Sequence, residues 1–195
     1  MKLSMTPKGL DDENTYVLHD KKHALIIDPG ARLKDILALL APNETVDGIC
    51  LTHGHKDHTF ATDDLVDLFH CPVYIHPLDM TLCLGNAAAF GGTPIYSPLS
   101  AYEPETPIGG FLVKVLHTPG HTAGSVCLQI RSHLFTGDTL FAQDIGRTDL
   151  YSGDEQQMKE SLERLKSLRH DLIIHPGHGP ESTLSQELLL NPYLK

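Results

Sequence analysis

The segment Thr52-His53-Gly54-His55-Lys56-Asp57-His58 constrains this chain more than any other. Three imidazoles and a carboxylate fall within seven residues, directly after an apolar run from Val46 to Leu51 that reads as a strand. Imidazoles at i and i+2 of an extended turn point to one side. Asp57 and His58, turning into a following helix, reach a second point a few Å away. One such loop can serve two metal ions if further ligands arrive from elsewhere.

Three later segments offer those ligands at sharp turns after strand-like runs: Thr118-Pro119-Gly120-His121-Thr122, Thr136-Gly137-Asp138-Thr139 and His175-Pro176-Gly177-His178-Gly179. Ligand geometry suggests His53, His55 and His121 around one ion, and Asp57, His58 and His178 around the other. The Asp138 carboxylate then bridges both. All donors are nitrogen or oxygen, a set that suits zinc, iron or manganese without choosing between them; two divalent ions are expected, zinc ahead of iron or manganese. Ligating histidines need a partner for the second ring nitrogen. Asp28, in Ile27-Asp28-Pro29-Gly30, is a candidate for that role, against the plainer expectation of a turn aspartate bonding its own backbone. His117, four residues before His121, and His175, three before His178, are expected to pack or support. His19, His23, His70, His76, His133 and His170 are expected at the surface or in ordinary hydrogen bonds.

The remaining sequence reads as a mixed α and β chain. Strands are expected at Asn14 to His19, His23 to Ile27, Val46 to Leu51, Val73 to Ile75, Phe111 to Leu116, Ser125 to Ile130 and Leu172 to Ile174. Helical spacing marks Leu33 to Leu40, Leu65 to Phe69 and Met158 to Leu168. Capping boxes are expected at Ser152 to Glu155 and at Thr183 with Gln186. The stretch from Leu84 to Pro107, rich in Gly, Ala, Pro and Ser, is expected to be a long loop, either a lid over the site or a surface crossing. No linker or repeat divides the chain, so residues 1–195 are expected to form one domain.

Charge excludes some functions. A formal charge of −10 repels phosphate backbones and anionic lipid, so nucleic acid and membrane are not expected partners. Met1 to Gly9 carries no apolar signal core, and no segment approaches the ~18 apolar residues of a membrane span. A soluble, cytoplasmic protein is expected, its oligomeric state open. Cys50, Cys71, Cys83 and Cys127 lack the close pairing of a structural zinc site and are expected to be reduced and buried.

Five motifs in order resemble the metallo-β-lactamase superfamily, and more closely its glyoxalase II-like (hydroxyacylglutathione hydrolase-like) branch. They are Ile27-Asp28-Pro29-Gly30, Thr52 to His58, Thr118 to Ser125, Gly137-Asp138-Thr139-Leu140-Phe141 and Gly146-Arg147-Thr148-Asp149. The resemblance implies an α+β fold, a four-layer αβ/βα sandwich with a dinuclear site on the edge between the sheets. An aspartate at position 138, where the commonest zinc β-lactamases carry cysteine, implies that lactam cleavage is disfavoured. Arg147 corresponds to a lysine of the larger enzymes, and Gly179-Pro180 replaces their tyrosine. Only 17 residues follow His178, so the chain is expected to be a short form without the C-terminal helical domain that binds glutathione.

The activity implied is metal-dependent hydrolysis of a small-molecule S-acyl thiol, such as S-lactoylglutathione, with Asp57 and Asp138 as catalytic carboxylates. Arg147 is then a candidate for holding a substrate carboxylate, or for a salt bridge to Asp149 or Asp144. One alternative is a persulfide dioxygenase holding a single non-haem iron on His53, His121 and Asp138. Another is a non-catalytic metal-binding protein.

Overall fold

A computed structural model describes residues 1–195. Six strands build the first sheet in sequence order: β1 (Lys2–Thr6), β2 (Thr15–Asp20), β3 (His23–Ile27), β4 (Thr45–Cys50), β5 (Val73–Ile75) and β6 (Leu99–Ala101). β1, β2 and β3 pair antiparallel, and β3 to β6 run parallel. The second part of the chain supplies β7 (Glu105–Ile108), β8 (Phe111–His117), β9 (Val126–Ile130) and β10 (His133–Gly137). A small hairpin of β11 (Leu140–Phe141) and β12 (Asp144–Ile145) follows, then β13 (Ile173–Pro176) and β14 (Ser182–Thr183). The second sheet has the order β14-β13-β10-β9-β8-β7, with a single parallel pair, β10 with β13.

The period-two alternation of the strands explains why both faces are covered. In β3, Leu25 and Ile27 face a core shared with Phe111, Val113, Val126, Leu128 and Phe135 of the second sheet, while Ala24 and Ile26 face the opposite side. A strand buried on both faces reads as an unbroken apolar run, as Ala24 to Ile27 does. Outside the first sheet lie α1 (Leu33–Leu37), α2 (Lys56–Thr59) and α3 (Thr62–Phe69), with Ile36 and Leu65 in the outer core. Outside the second lie α4 (Glu155–Lys166) and α5 (Leu184–Leu190), which bury Met158, Leu162, Leu165 and Leu184 against Cys127, Leu134 and Ile174. The result is the expected four-layer αβ/βα sandwich, with three apolar interfaces.

The strands expected from the sequence are present within a residue or two, and seven are additional: β1, β6, β7, β10, β11, β12 and β14. β10 carries little apolar signal, and β6 and β7 lie inside the Leu84 to Pro107 stretch expected to be a loop. β6 and β7 are edge strands of their sheets, the position where Pro107 is tolerated because it has no hydrogen to donate. α4 is capped by Asp154, whose Oδ1 accepts from Gln157 N at 2.8 Å, and not by Ser152. Ser152 Oγ instead accepts from Ala123 N. Thr183 caps α5 as expected, accepting from Gln186 N. All four cysteines are buried and free. No helix is long and apolar enough to cross a membrane.

Two sets of hydrogen bonds tie the sheets together at one edge. Val126 N donates to Thr52 O at 2.9 Å, and Asn14 N donates to Gly177 O at 2.7 Å. Tyr16 Oη and Asn14 Nδ2 both donate to Pro176 O. The ends of β4 and β13 therefore meet the starts of β9 and β2 in one place.

Candidate metal centre

The turns at that edge bring all seven expected ligands together, although they lie up to 125 positions apart. His53 follows β4, and His55 is the extended residue that precedes α2 (φ −69°, ψ 149°), so that Asp57 and His58 fall in the first turn of α2. His121 sits in the β8–β9 turn, Asp138 directly after β10 and His178 after β13. Gly137 has φ +46°, a left-handed conformation that turns the chain sharply before Asp138. Gly177 permits a close approach: a Cβ there would overlap Asp138 Oδ1 and lie 2.6 Å from His58 Cε1.

Two donor sets result. In the first, His55 Nδ1 lies 3.1 Å from His53 Nε2 and 2.9 Å from His121 Nε2. In the second, Asp57 Oδ2 lies 3.2 Å from His178 Nε2 and 3.6 Å from His58 Nε2. Asp138 lies between them, with Oδ2 3.4 Å from His121 Nε2 and 3.7 Å from His178 Nε2, and Oδ1 3.3 Å from His58 Nε2. Each set takes two residues from the first sheet's loops and one from the second's.

Proton bookkeeping shows what these groups offer. The Thr52 hydroxyl gives its one hydrogen to Asp28 Oδ2 at 2.6 Å, so toward His53 Nδ1, 3.1 Å away, it accepts. His53 Nε2 is then left with a bare lone pair facing the site. His121 Nδ1 lies 2.8 Å from the Arg147 carbonyl, which can only accept, and this leaves His121 Nε2 bare too. His58 Nδ1 is 3.0 Å from Asp28 Oδ2 and donates to it, which directs Nε2 inward. His58 Nε2 and Asp138 Oδ1 are buried without a hydrogen-bond partner. The bare nitrogens of His53 and His121 and the unpartnered Asp138 oxygen converge as a cation requires, and the nitrogen and oxygen donors fit a divalent first-row metal.

The electrostatics agree. Burial opposes charge on His58, yet Asp138, Asp28 and Asp57 overcome it and hold the imidazole well above its usual range. The pocket therefore favours a positive charge at this point. Burial also works against an ionised Asp138, but His58, His121 and His178 hold its carboxyl below the usual range. In the three-imidazole set, burial and the neighbouring rings push His53 down, and His55 down to about 4. These rings present neutral, ligand-ready nitrogens.

Asp28 thus partners a ligand histidine and Thr52 N, which it accepts at 2.7 Å, and is not confined to its own turn. The Arg147 guanidinium pairs with Asp149 at 2.7 and 2.8 Å, not with Asp144, while its backbone orients His121. His175 packs on Phe135 and bonds Glu181 and His133, and His117 stacks on His76. Neither joins the centre. Two buried acids were not expected. Glu13 accepts from Thr15 Oγ1 beside Asp28 and His58, and Asp79 bonds the loops of His53 and His121. Neither stands in a motif.

The centre opens into a cleft of about 340 Å³ walled by Gly91 and Phe141 and by Arg147 and Leu150. Beside it, Phe90 and Tyr151 bring the two flanking loops together, ring centroids 4.2 Å apart. The Leu84 to Pro107 stretch therefore contributes a wall of the cleft. A larger cavity of about 520 Å³ lies behind the Gly146-Arg147 loop, against Met158, Leu162 and Tyr193, and is lined by none of the seven candidate ligands.

The family model of the metallo-beta-lactamase superfamily matches residues 9–178. A probable metallo-hydrolase of Bacillus subtilis is 32% identical, over 100% of this chain and 98% of its own. The crystal structure of BLEG-1, described as a B3 metallo-beta-lactamase, superposes with a TM-score of 0.87 at 35% identity, covering 100% of both chains. TTHA1623, solved in a di-iron-bound form, gives a TM-score of 0.83 at 37% identity, over 93% of this chain and 95% of its own.

Proposed function

The chain belongs to the metallo-beta-lactamase superfamily, and from that premise we propose that it is a metal-dependent thioester hydrolase of the glyoxalase II-like type. Its substrate would be a small S-acyl thiol such as S-lactoylglutathione, cleaved by water to a free thiol and a carboxylic acid. The observation that carries this reading is Asp138, whose carboxylate lies between the two donor sets, 3.4 Å from His121 and 3.7 Å from His178.

In this reading His53, His55 and His121 hold one divalent ion, Asp57, His58 and His178 hold a second, and Asp138 reaches both. Zinc fits the donors best, and iron or manganese also fits; the di-iron-bound relative supports a first-row pair. When bound, the ions supply a nucleophilic water-derived oxygen at neutral pH and offset the charge that grows on the attacked carbonyl.

The protein's own groups prepare the rest. Thr52, Asp28 and the Arg147 carbonyl fix the tautomers and directions of His53, His58 and His121. Asp57, with more side-chain exposure than Asp138 (21% against 11%), faces the cleft and can accept the proton of the attacking water. A thiol leaving group has a pKa of about 8.5 and departs as thiolate, so the cleft needs no strong acid. Arg147 stands at the rim, where a substrate carboxylate can exchange with Asp149 for its guanidinium.

The test is elemental analysis of protein purified without chelator, combined with thiol release from S-lactoylglutathione. Two ions per chain and chelator-sensitive thiol release support the proposal. One iron per chain, with oxygen uptake on a persulfide, replaces it by the dioxygenase on His53, His121 and Asp138. The B3 metallo-beta-lactamase description of BLEG-1 favours a second reading, lactam hydrolysis. Cleavage of a chromogenic cephalosporin without thioester cleavage would establish that one.

A further inference from the structure

Asp79 is fully buried on the turn Pro77–Cys83 that follows β5, outside both donor sets. Its Oδ2 accepts from Gly54 N at 2.9 Å and from Thr122 Oγ1 at 2.7 Å, and its Oδ1 accepts from Gly124 N at 2.6 Å. Gly54 separates His53 from His55, and Thr122 follows His121. One carboxylate oxygen therefore holds both loops that carry the three-imidazole set.

The network continues outward without a spare hydrogen. Thr122 Oγ1 gives its hydrogen to Asp79, so at 2.7 Å it accepts from Ser125 Oγ. Ser125 Oγ in turn accepts from Thr122 N at 3.1 Å. The packing is equally tight: a Cβ on Gly54 would come 2.6 Å from Leu82 Cβ, and one on Gly124 would come 2.5 Å from Asp79 Oδ1. All three hydrogens at Asp79 point toward it, an arrangement that suits an acceptor-only carboxylate. Burial alone raises its pKa, and these donors lower it in part.

We infer that Asp79 is a positioning residue that sets the spacing of His53, His55 and His121, and with it the affinity of that set for its ion. This rests on the two-ion reading of the centre and is independent of the thioester reaction. The second set has its own support, Asp28 on His58, and does not depend on Asp79. Loss of Asp79 therefore weakens one ion selectively.

Cobalt(II) titration of the metal-free protein, followed by absorbance, tests this without substrate. His121→Ala and His178→Ala assign the two binding steps. Asp79→Asn keeps the shape but turns an amide hydrogen toward a backbone N–H. The step also lost in His121→Ala should weaken by about 10–100-fold, as for other residues that orient ligands, while the His178 step stays unchanged. Thr122→Val removes one of the three donors and should weaken the same step by less. Both steps unchanged, or both weakened equally, in a variant with wild-type circular dichroism overturns the inference. Should Asp79→Asn fail to fold, the Thr122→Val titration decides by the same criteria. A single step in the wild type would refute the two-ion reading, and Asp79→Asn would still test the imidazole step.

Discussion

Asp28 Oδ2 receives the His58 Nδ1 hydrogen at 3.0 Å and the Thr52 hydroxyl at 2.6 Å, so one carboxylate oxygen fixes a ring from each donor set. The Thr52 hydroxyl passes this order to His53, which it meets at 3.1 Å. Asp28→Asn should therefore weaken both ions, each by about 10–100-fold, because it removes the charge that settles both tautomers. Competition with a chelator of known affinity measures this. Unchanged affinities would mean that His58 and His53 need no external orientation.

Asp138 joins the two sets, so Asp138→Ala should release both ions and reduce thiol release to background. Elemental analysis and a thiol assay check the two effects together. Retained turnover would remove the bridging role, and retained metal without turnover would confine Asp138 to chemistry.

Metal loading should stabilise the fold. An ion at about 100 times its dissociation constant adds about 2.7 kcal/mol per site. For a chain of this size that should raise Tm by roughly 5–10 °C per ion. Calorimetry with and without a chelator reads the shift. A Tm indifferent to chelator would mean that the sites are not filled.

Away from the centre, His175 gives the metal-free chain a pH dependence of definite sign. Burial pushes it down to about 4, against the pull of Glu181. The unfolded chain takes up a proton here near pH 6.5, but the folded chain resists until about 4, so this contribution to stability is full above 6.5 and is lost as pH falls through that window. His175→Asn should be less stable than wild type at pH 7, and the difference in Tm should narrow by pH 4. A difference that widens on acidification would reverse the assignment.

The Phe90–Tyr151 contact closes one side of the cleft without touching the metal donors. Tyr151→Ala should therefore raise KM for an S-acyl thiol and leave kcat within about 3-fold, the pattern of lost uniform binding. Steady-state kinetics on two substrates of different acyl size checks it. A fall in kcat alone would place Tyr151 in the chemical step.

Legibility in the sequence followed locality. His53 to His58 stand together, and His121, Asp138 and His178 each follow a strand at a glycine turn, so side-chain type and spacing expose them. Asp79 is silent because its partners are mostly backbone hydrogens 25 to 45 positions away, and an aspartate after His76-Pro77 looks like any turn. Glu13 is hidden for a different reason: it is buried where Gly9 and Gly30 approach closely, and their added Cβ atoms would strike it. Central strands such as β3 and β4 were legible as apolar runs because both their faces are covered. β6 and β7 were not, since edge strands need fewer apolar residues and tolerate proline.

Each donor set draws on both sheets, and this has a mechanical consequence. An ion in either set works as a rivet through the seam between the halves, adding to the Thr52–Val126 and Asn14–Gly177 bonds. Prying the halves apart at this edge would then strain coordination as well as the backbone bonds, so a bound ion would brace the edge of the shared apolar interior as well as serve the cleft. A chain nicked between β6 and β7 would be held at this seam by bound ions in addition to its shared apolar interface.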